Sequence, residues 1–152
     1  MTVGQKRILV VDDDAEIRSL LTTVLEKHGL MVNAAGDGAA AIELLREFQY
    51  AVLLVDLLMP GMDGFELLDH IAGGDIVSQP VVLVITAADR AAIERLDAQR
   101  IHGIVRKPFD PEEIARLVVA CADIKSHRPF GPMAIATMIA GSPFLALLNR
   151  LP

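Results

Sequence analysis

"ILVVDDDAEIRSLL", Ile8 to Leu21, runs from four apolar residues through three consecutive aspartates into a helical spacing of apolar side chains. Ile8–Val11 shows no polar alternation, as expected of a strand covered on both faces, whereas Ile17, Leu20, Leu21, Val24 and Leu25 recur along one helix face. A strand that passes directly into a helix is the repeating unit of a parallel α/β sheet. Three adjacent carboxylates at the junction repel one another unless a cation sits among them.

The same alternation continues along the chain. Met31–Ala35, Ala51–Val55, Val81–Ile85 and Ile101–Val105 are further candidate strands, largely apolar with no polar alternation and separated from one another by helical patterns. Gly29 is placed to stop the first helix after His28. Asp37, Asp63 and Asp89 are candidate caps for the second, third and fourth helices. Asp110, Pro111 and Glu113 fit the cap, first position and capping-box partner of a fifth helix with the stripe Ile114, Leu117, Val118 and Cys121. The fold class predicted is α/β, a doubly wound five-stranded parallel sheet.

With 152 residues, 53% of them hydrophobic, the chain suits one domain with an appendage. Its one cysteine, Cys121, excludes an intrachain disulfide, suits a packing role and fits a reducing compartment. No apolar run reaches membrane-spanning length, and "MTVGQKR" lacks the apolar core of a signal peptide, so a soluble cytoplasmic protein is expected. A net charge of −6 disfavours a broad phosphate-backbone footprint, and direct DNA binding is not expected.

The polar residues that interrupt this pattern share one edge. Asp12 and Asp13 follow the first strand, Asp56 the third, Thr86 the fourth and Lys107 the fifth. In open parallel sheets ligands bind outside the carboxyl ends of the strands, although each residue taken singly suits an ordinary loop or cap. Asp14 is placed to cap the first helix, which leaves Asp12 and Asp13 for chemistry. If the first and third strands are neighbours, Asp56 joins them. Two unit charges 4 Å apart cost roughly 4 kcal/mol at an effective dielectric of 20, so such a cluster calls for a counter-charge. Mg²⁺, a hard cation that keeps several waters and uses one or two carboxylates, suits a partly open site.

"VVDDD", "LLVDLLMPGMDG", "VITA" and "VRKPF", in this order, resemble the receiver domain of two-component response regulators over Arg7 to Ala122. The resemblance implies a flavodoxin-like (βα)5 fold with strand order 2-1-3-4-5. It makes Asp56 the phosphoacceptor, Asp12 and Asp13 the acidic pair for Mg²⁺ with Asp13 a direct ligand, and the backbone carbonyl of Leu58 a further ligand. Thr86 would hydrogen-bond one phosphoryl oxygen and Lys107 pair with another. Pro60, Gly61 and Gly64 suit a turn that brings peptide groups close to the site. The implied partners are a sensor histidine kinase or histidine phosphotransfer protein, met through the first helix and the loop before the fifth, and a downstream protein.

The chain departs from the family pattern in two respects. Ile104 stands where an aromatic is usual three residues before the lysine, so the switch region of Thr86 and Ile104 is expected to signal through the fourth helix and its loops. Leu58 and Ala88 offer no amide or carboxylate to orient a hydrolytic water, which predicts slow self-dephosphorylation; beyond this and Mg²⁺-dependent self-phosphorylation from small phosphodonors, no enzymatic activity is expected. A metal-dependent aspartyl phosphatase would need a second aspartate where Leu58 stands. The other alternative is a pseudo-receiver, an interaction module that is not phosphorylated; the full set of five site residues argues against it.

A receiver over residues 1–124 leaves an extension over 125–152 that is apolar and, after Lys125, free of acidic residues. Pro132 and Pro143 can each open a short helix, and no separate output domain is expected. The extension is read as packing on the receiver or on a second copy, with a homodimer through the fourth and fifth helices or the tail as one arrangement. Membrane contact is not expected, because the extension carries few cations.

Overall fold

The structure is a computed structural model that describes residues 6–97, 99–124 and 137–138. Its strands are β1 (Arg7–Val11), β2 (Met31–Ala35), β3 (Val52–Val55), β4 (Val81–Thr86), β5 (Gly103–Arg106) and β6 (Thr137–Met138). Among the described residues, five helices alternate with them: α1 (Ala15–Lys27), α2 (Gly38–Glu47), α3 (Gly64–Ala72), α4 (Arg90–Glu94) and α5 (Pro111–Ile124). The sheet is parallel throughout, in the order β2-β1-β3-β4-β5-β6. The expected five-strand order 2-1-3-4-5 is therefore present, with β6 added at the outer edge of β5. That short strand lies within the extension for which helices were expected, and it pairs main-chain groups that a sheet edge otherwise leaves open. Residues 125–136 and 139–152, where the remaining tail expectations fall, lie outside the described residues.

Uninterrupted apolar strands are explained by two cores. Ile8, Val10, Val52, Leu54, Leu83 and Val105 pack against α1 and α5 on one face, while Leu9, Val11, Leu53, Val55, Val82 and Val84 pack towards α2 and α3 on the other. Cys121 lies fully buried in the first core, and burial pushes its thiol up to about 12, which makes it a packing group.

The caps fall where the aspartates stand. Asp14 accepts from the N–H groups of Glu16 and Ile17, Asp37 from Ala40, Asp63 from Glu66 and Asp89 from Ala92. Asp110 accepts from Glu112 at the start of α5. Each cap satisfies an otherwise orphaned helix donor. Several strand ends move by one residue, and the largest shift is in β5, which begins at Gly103 rather than Ile101: His102 supplies both the N–H donated to Val82 O (2.8 Å) and the Nδ1 that accepts from Val82 N–H (2.9 Å). A side chain thus substitutes for the first rung of the ladder.

Candidate functional site

Adjacent pairing of β1 with β3, and of β4 with β5, brings the carboxyl ends of these strands together. Asp12 follows β1, and its own N–H is held by Ala35 O at 3.1 Å; Asp56 follows β3, with its N–H on Val11 O at 3.0 Å. Both side chains are buried, whereas Asp13 is exposed. One ligand atom from each of Asp12, Asp13 and Asp56 falls within 4.8 Å of the others.

Lys107 enters this cluster from the end of β5. Its Nζ lies 2.9 Å from Asp12 Oδ2 and 2.9 Å from Asp56 Oδ2, so a single ammonium bridges both buried carboxylates. Burial works against the charged lysine, but the hydrogen bonds and charges of Asp12 and Asp56 outweigh it and raise its pKa above the ordinary value. For Asp12 the balance goes the other way. Burial raises its carboxyl pKa and outweighs the Lys107 contact and the Asp14 N–H bond. The two shifts describe one pocket, in which the lysine is secured and the acid is under strain from desolvation.

The segment after β3 holds Asp56 from the other side. Leu58 N–H donates to Asp56 Oδ1 at 3.1 Å and fixes the carboxylate plane. Gly64 opens α3 so close to β3 that a Cβ there would collide with the Asp56 carbonyl, and Gly61 turns the chain at φ +74°. Leu58 itself is 53% exposed beside the site. Thr86 is fully buried at the end of β4, and its Oγ1 accepts the Ala88 N–H at 3.1 Å. Ile104 is buried in the second core, directly opposite Val84 in the sheet.

All the residues singled out from the sequence therefore lie on one edge, apart from Ile104, which sits in the strand behind it. Three all-oxygen donors, one of them open to solvent, match the hard-cation chemistry of Mg²⁺. Sequence reasoning missed the Thr86–Ala88 bond and also Arg18, whose Nη1 lies 2.6 Å from Asp12 O. A readable signal existed for Arg18: a helical side chain covers the turn before its own Cα, so an arginine one turn into α1 reaches back over the aspartates.

The response regulator receiver domain family matches residues 8–119. The DNA-binding response regulator MtrA of Mycobacterium tuberculosis is 31% identical over 136 residues, which cover 90% of this chain and 59% of MtrA. The chain thus spans less than two thirds of that relative. A CheY-like response regulator receiver domain protein from Methanospirillum hungatei superposes with a TM-score of 0.73 at 27% identity, covering 82% of this chain and all of that one. The response regulator TrrA from Thermotoga maritima, in complex with Mg²⁺ and BeF, gives 0.67 at 28% identity, covering 77% of this chain and 99% of its own. With the parallel sheet, the acidic cluster and its bridging lysine all in register, this chain belongs to the response regulator receiver domain family.

Proposed function

We propose that the chain is a phosphoryl-accepting switch of a two-component or phosphorelay system, charged on Asp56 by a histidine kinase or histidine phosphotransfer protein. The observation that carries this reading is the convergence of Asp12, Asp13 and Asp56, with Lys107 bridging Asp12 and Asp56. An Asp56 carboxylate oxygen attacks the phosphorus, the P–N bond to the donor imidazole breaks, and the imidazole leaves with the electron pair. Leu58 N–H orients the carboxylate through Oδ1. Lys107, already against Asp56 Oδ2, pairs with a phosphoryl oxygen, and Thr86 donates its hydroxyl proton to another. Mg²⁺, held by the carboxylates of Asp12, Asp13 and Asp56 and the Leu58 carbonyl, would offset charge on the phosphoryl group.

Output passes by protein–protein contact. When Thr86 turns to a phosphoryl oxygen, the Ala88 N–H bonded to it is drawn along, so the β4–α4 loop takes up the change without an aromatic at Ile104. Beyond self-phosphorylation from small donors and slow self-dephosphorylation, the chain is not an enzyme. Incubation with Mg²⁺ and acetyl phosphate should add one phosphoryl group by intact-mass measurement, and Asp56→Asn should abolish the gain. An unmodified wild type would instead support the pseudo-receiver.

A further inference from the structure

We propose that Arg18 is a positioning residue: it fixes the peptide joining Asp12 to Asp13 and so aims the Asp13 carboxylate at a divalent cation. The proposal rests on the receiver reading and adds a residue to it. Asp12 is held at every polar atom. Its N–H is bound by Ala35 O, its Oδ1 accepts from Asp14 N–H, its Oδ2 accepts from Lys107, and its carbonyl accepts from Arg18 Nη1 at 2.6 Å. Among the described residues, by contrast, none hydrogen-bonds the exposed Asp13 carboxylate. The direction in which Asp13 points is therefore set through its main chain, and the carbonyl gripped by Arg18 belongs to the peptide plane that leads into it.

The guanidinium also lies close to Gly36. Gly36 follows β2, and a Cβ built there would lie 3.1 Å from Arg18 Nη1 and 3.5 Å from its Cζ. The bare α-carbon admits the flat guanidinium between the β1–α1 junction and the turn before α2. A side chain at position 36 would therefore crowd the guanidinium as it reaches for Asp12 O.

The sign of the effect makes the role testable. Arg18 is a cation near a cation site, so Coulomb repulsion alone predicts tighter metal binding when it is removed. Loss of a positioning contact predicts weaker binding, and groups that orient metal ligands are typically worth tenfold or more in affinity. Mn²⁺ binding to the full chain is measured by electron paramagnetic resonance, for wild type, Arg18→Ala, Arg18→Lys and Gly36→Ala. Thermal unfolding of each metal-free variant is recorded in parallel.

Arg18→Ala is expected to weaken Mn²⁺ binding about tenfold at temperatures where the variant remains folded. Arg18→Lys, with one donor that can reach the carbonyl, should recover part of the loss, and Gly36→Ala, which displaces only the end of the arginine, should fall between wild type and Arg18→Ala. Gly36→Ala carries the test if Arg18→Ala does not fold. Unchanged or tighter binding in the folded variants overturns the positioning role while leaving the receiver reading intact. A wild type that binds no Mn²⁺ overturns both.

Discussion

The two ends of the same strands solve opposite problems. Towards the amino ends, Tyr50 Oη and Arg7 Nη1 both donate to Asn33 Oδ1, at 2.8 and 3.0 Å, and Arg7 lies 4.3 Å over the Phe48 ring, which meets Tyr50 edge-on. His102 and Val82 exchange two hydrogen bonds beside them in the sheet. These groups satisfy one another with little charge. At the carboxyl ends, three carboxylates cluster together and one ammonium bridges two of them. The comparison teaches that one edge is finished by folding, whereas the other keeps a formal surplus of negative charge that only a bound cation or a chemical change can relieve.

The strongest way to break this contrast is to remove the ammonium. Without Mg²⁺, Lys107→Met leaves Asp12 and Asp56 facing each other unpaired in a buried pocket, which should cost about 3–5 kcal/mol of unfolding free energy in denaturant titrations. Added Mg²⁺ should return much of the loss, because the cation takes over the neutralisation. Alkaline titration of the wild type should act in the same direction. The folded pKa of Lys107 is raised, so its contribution is complete below the ordinary value of 10.5 and is lost as pH climbs through the folded value. A variant as stable as wild type without Mg²⁺ would show that the carboxyl edge carries no such charge burden.

At the amino edge the equivalent deletion should be milder and indifferent to metal. Tyr50→Phe removes one hydrogen bond and should cost about 1 kcal/mol, equally with and without Mg²⁺. Burial pushes the Tyr50 hydroxyl up to about 12. Its contribution to stability is therefore intact below pH 10 and disappears as pH rises through about 12. The chain has one tyrosine and no tryptophan, so tyrosinate absorbance reports this group alone. A transition near the ordinary phenol value would mean that the amino-edge network opens far more readily than its burial implies.

The sequence made the charged edge easier to read than the neutral one. Asp12, Asp13, Asp56, Thr86 and Lys107 each follow an apolar run, so locating the strands located them too. The pairing of His102 with Val82, or of Tyr50 with Asn33, depends on register between segments far apart in the chain, and no local pattern marks it. Asp89 announces the start of α4, but the helix is only five residues long and buries none of them, so no apolar stripe gives its length. β6 escaped for a related reason: two residues are too few to show a strand period. What was legible followed from local periodicity, and what was not followed from packing.

The smallest effect on the fold should accompany a sharp effect on chemistry. Leu58 is half exposed beside Asp56 and makes its one site contact through the backbone, so Leu58→Asn should leave unfolding free energy within about 0.5 kcal/mol of wild type. The new carboxamide would stand two residues from the phosphoacceptor, where neither Leu58 nor the buried Ala88 now offers a group that can orient water. Loss of phosphate from Asp56, followed by intact mass over time after the donor is removed, should accelerate. Tyr50→Phe, at the other end of the sheet, should leave the same decay unaltered. If the two variants decay alike, the lifetime of the phosphorylated state is not controlled by side chains at the carboxyl edge, and Leu58 loses the protective role that its apolar character gives it. If only Leu58→Asn decays faster, the edge left unfinished by folding is also the one where a single side chain sets how long the signal lasts.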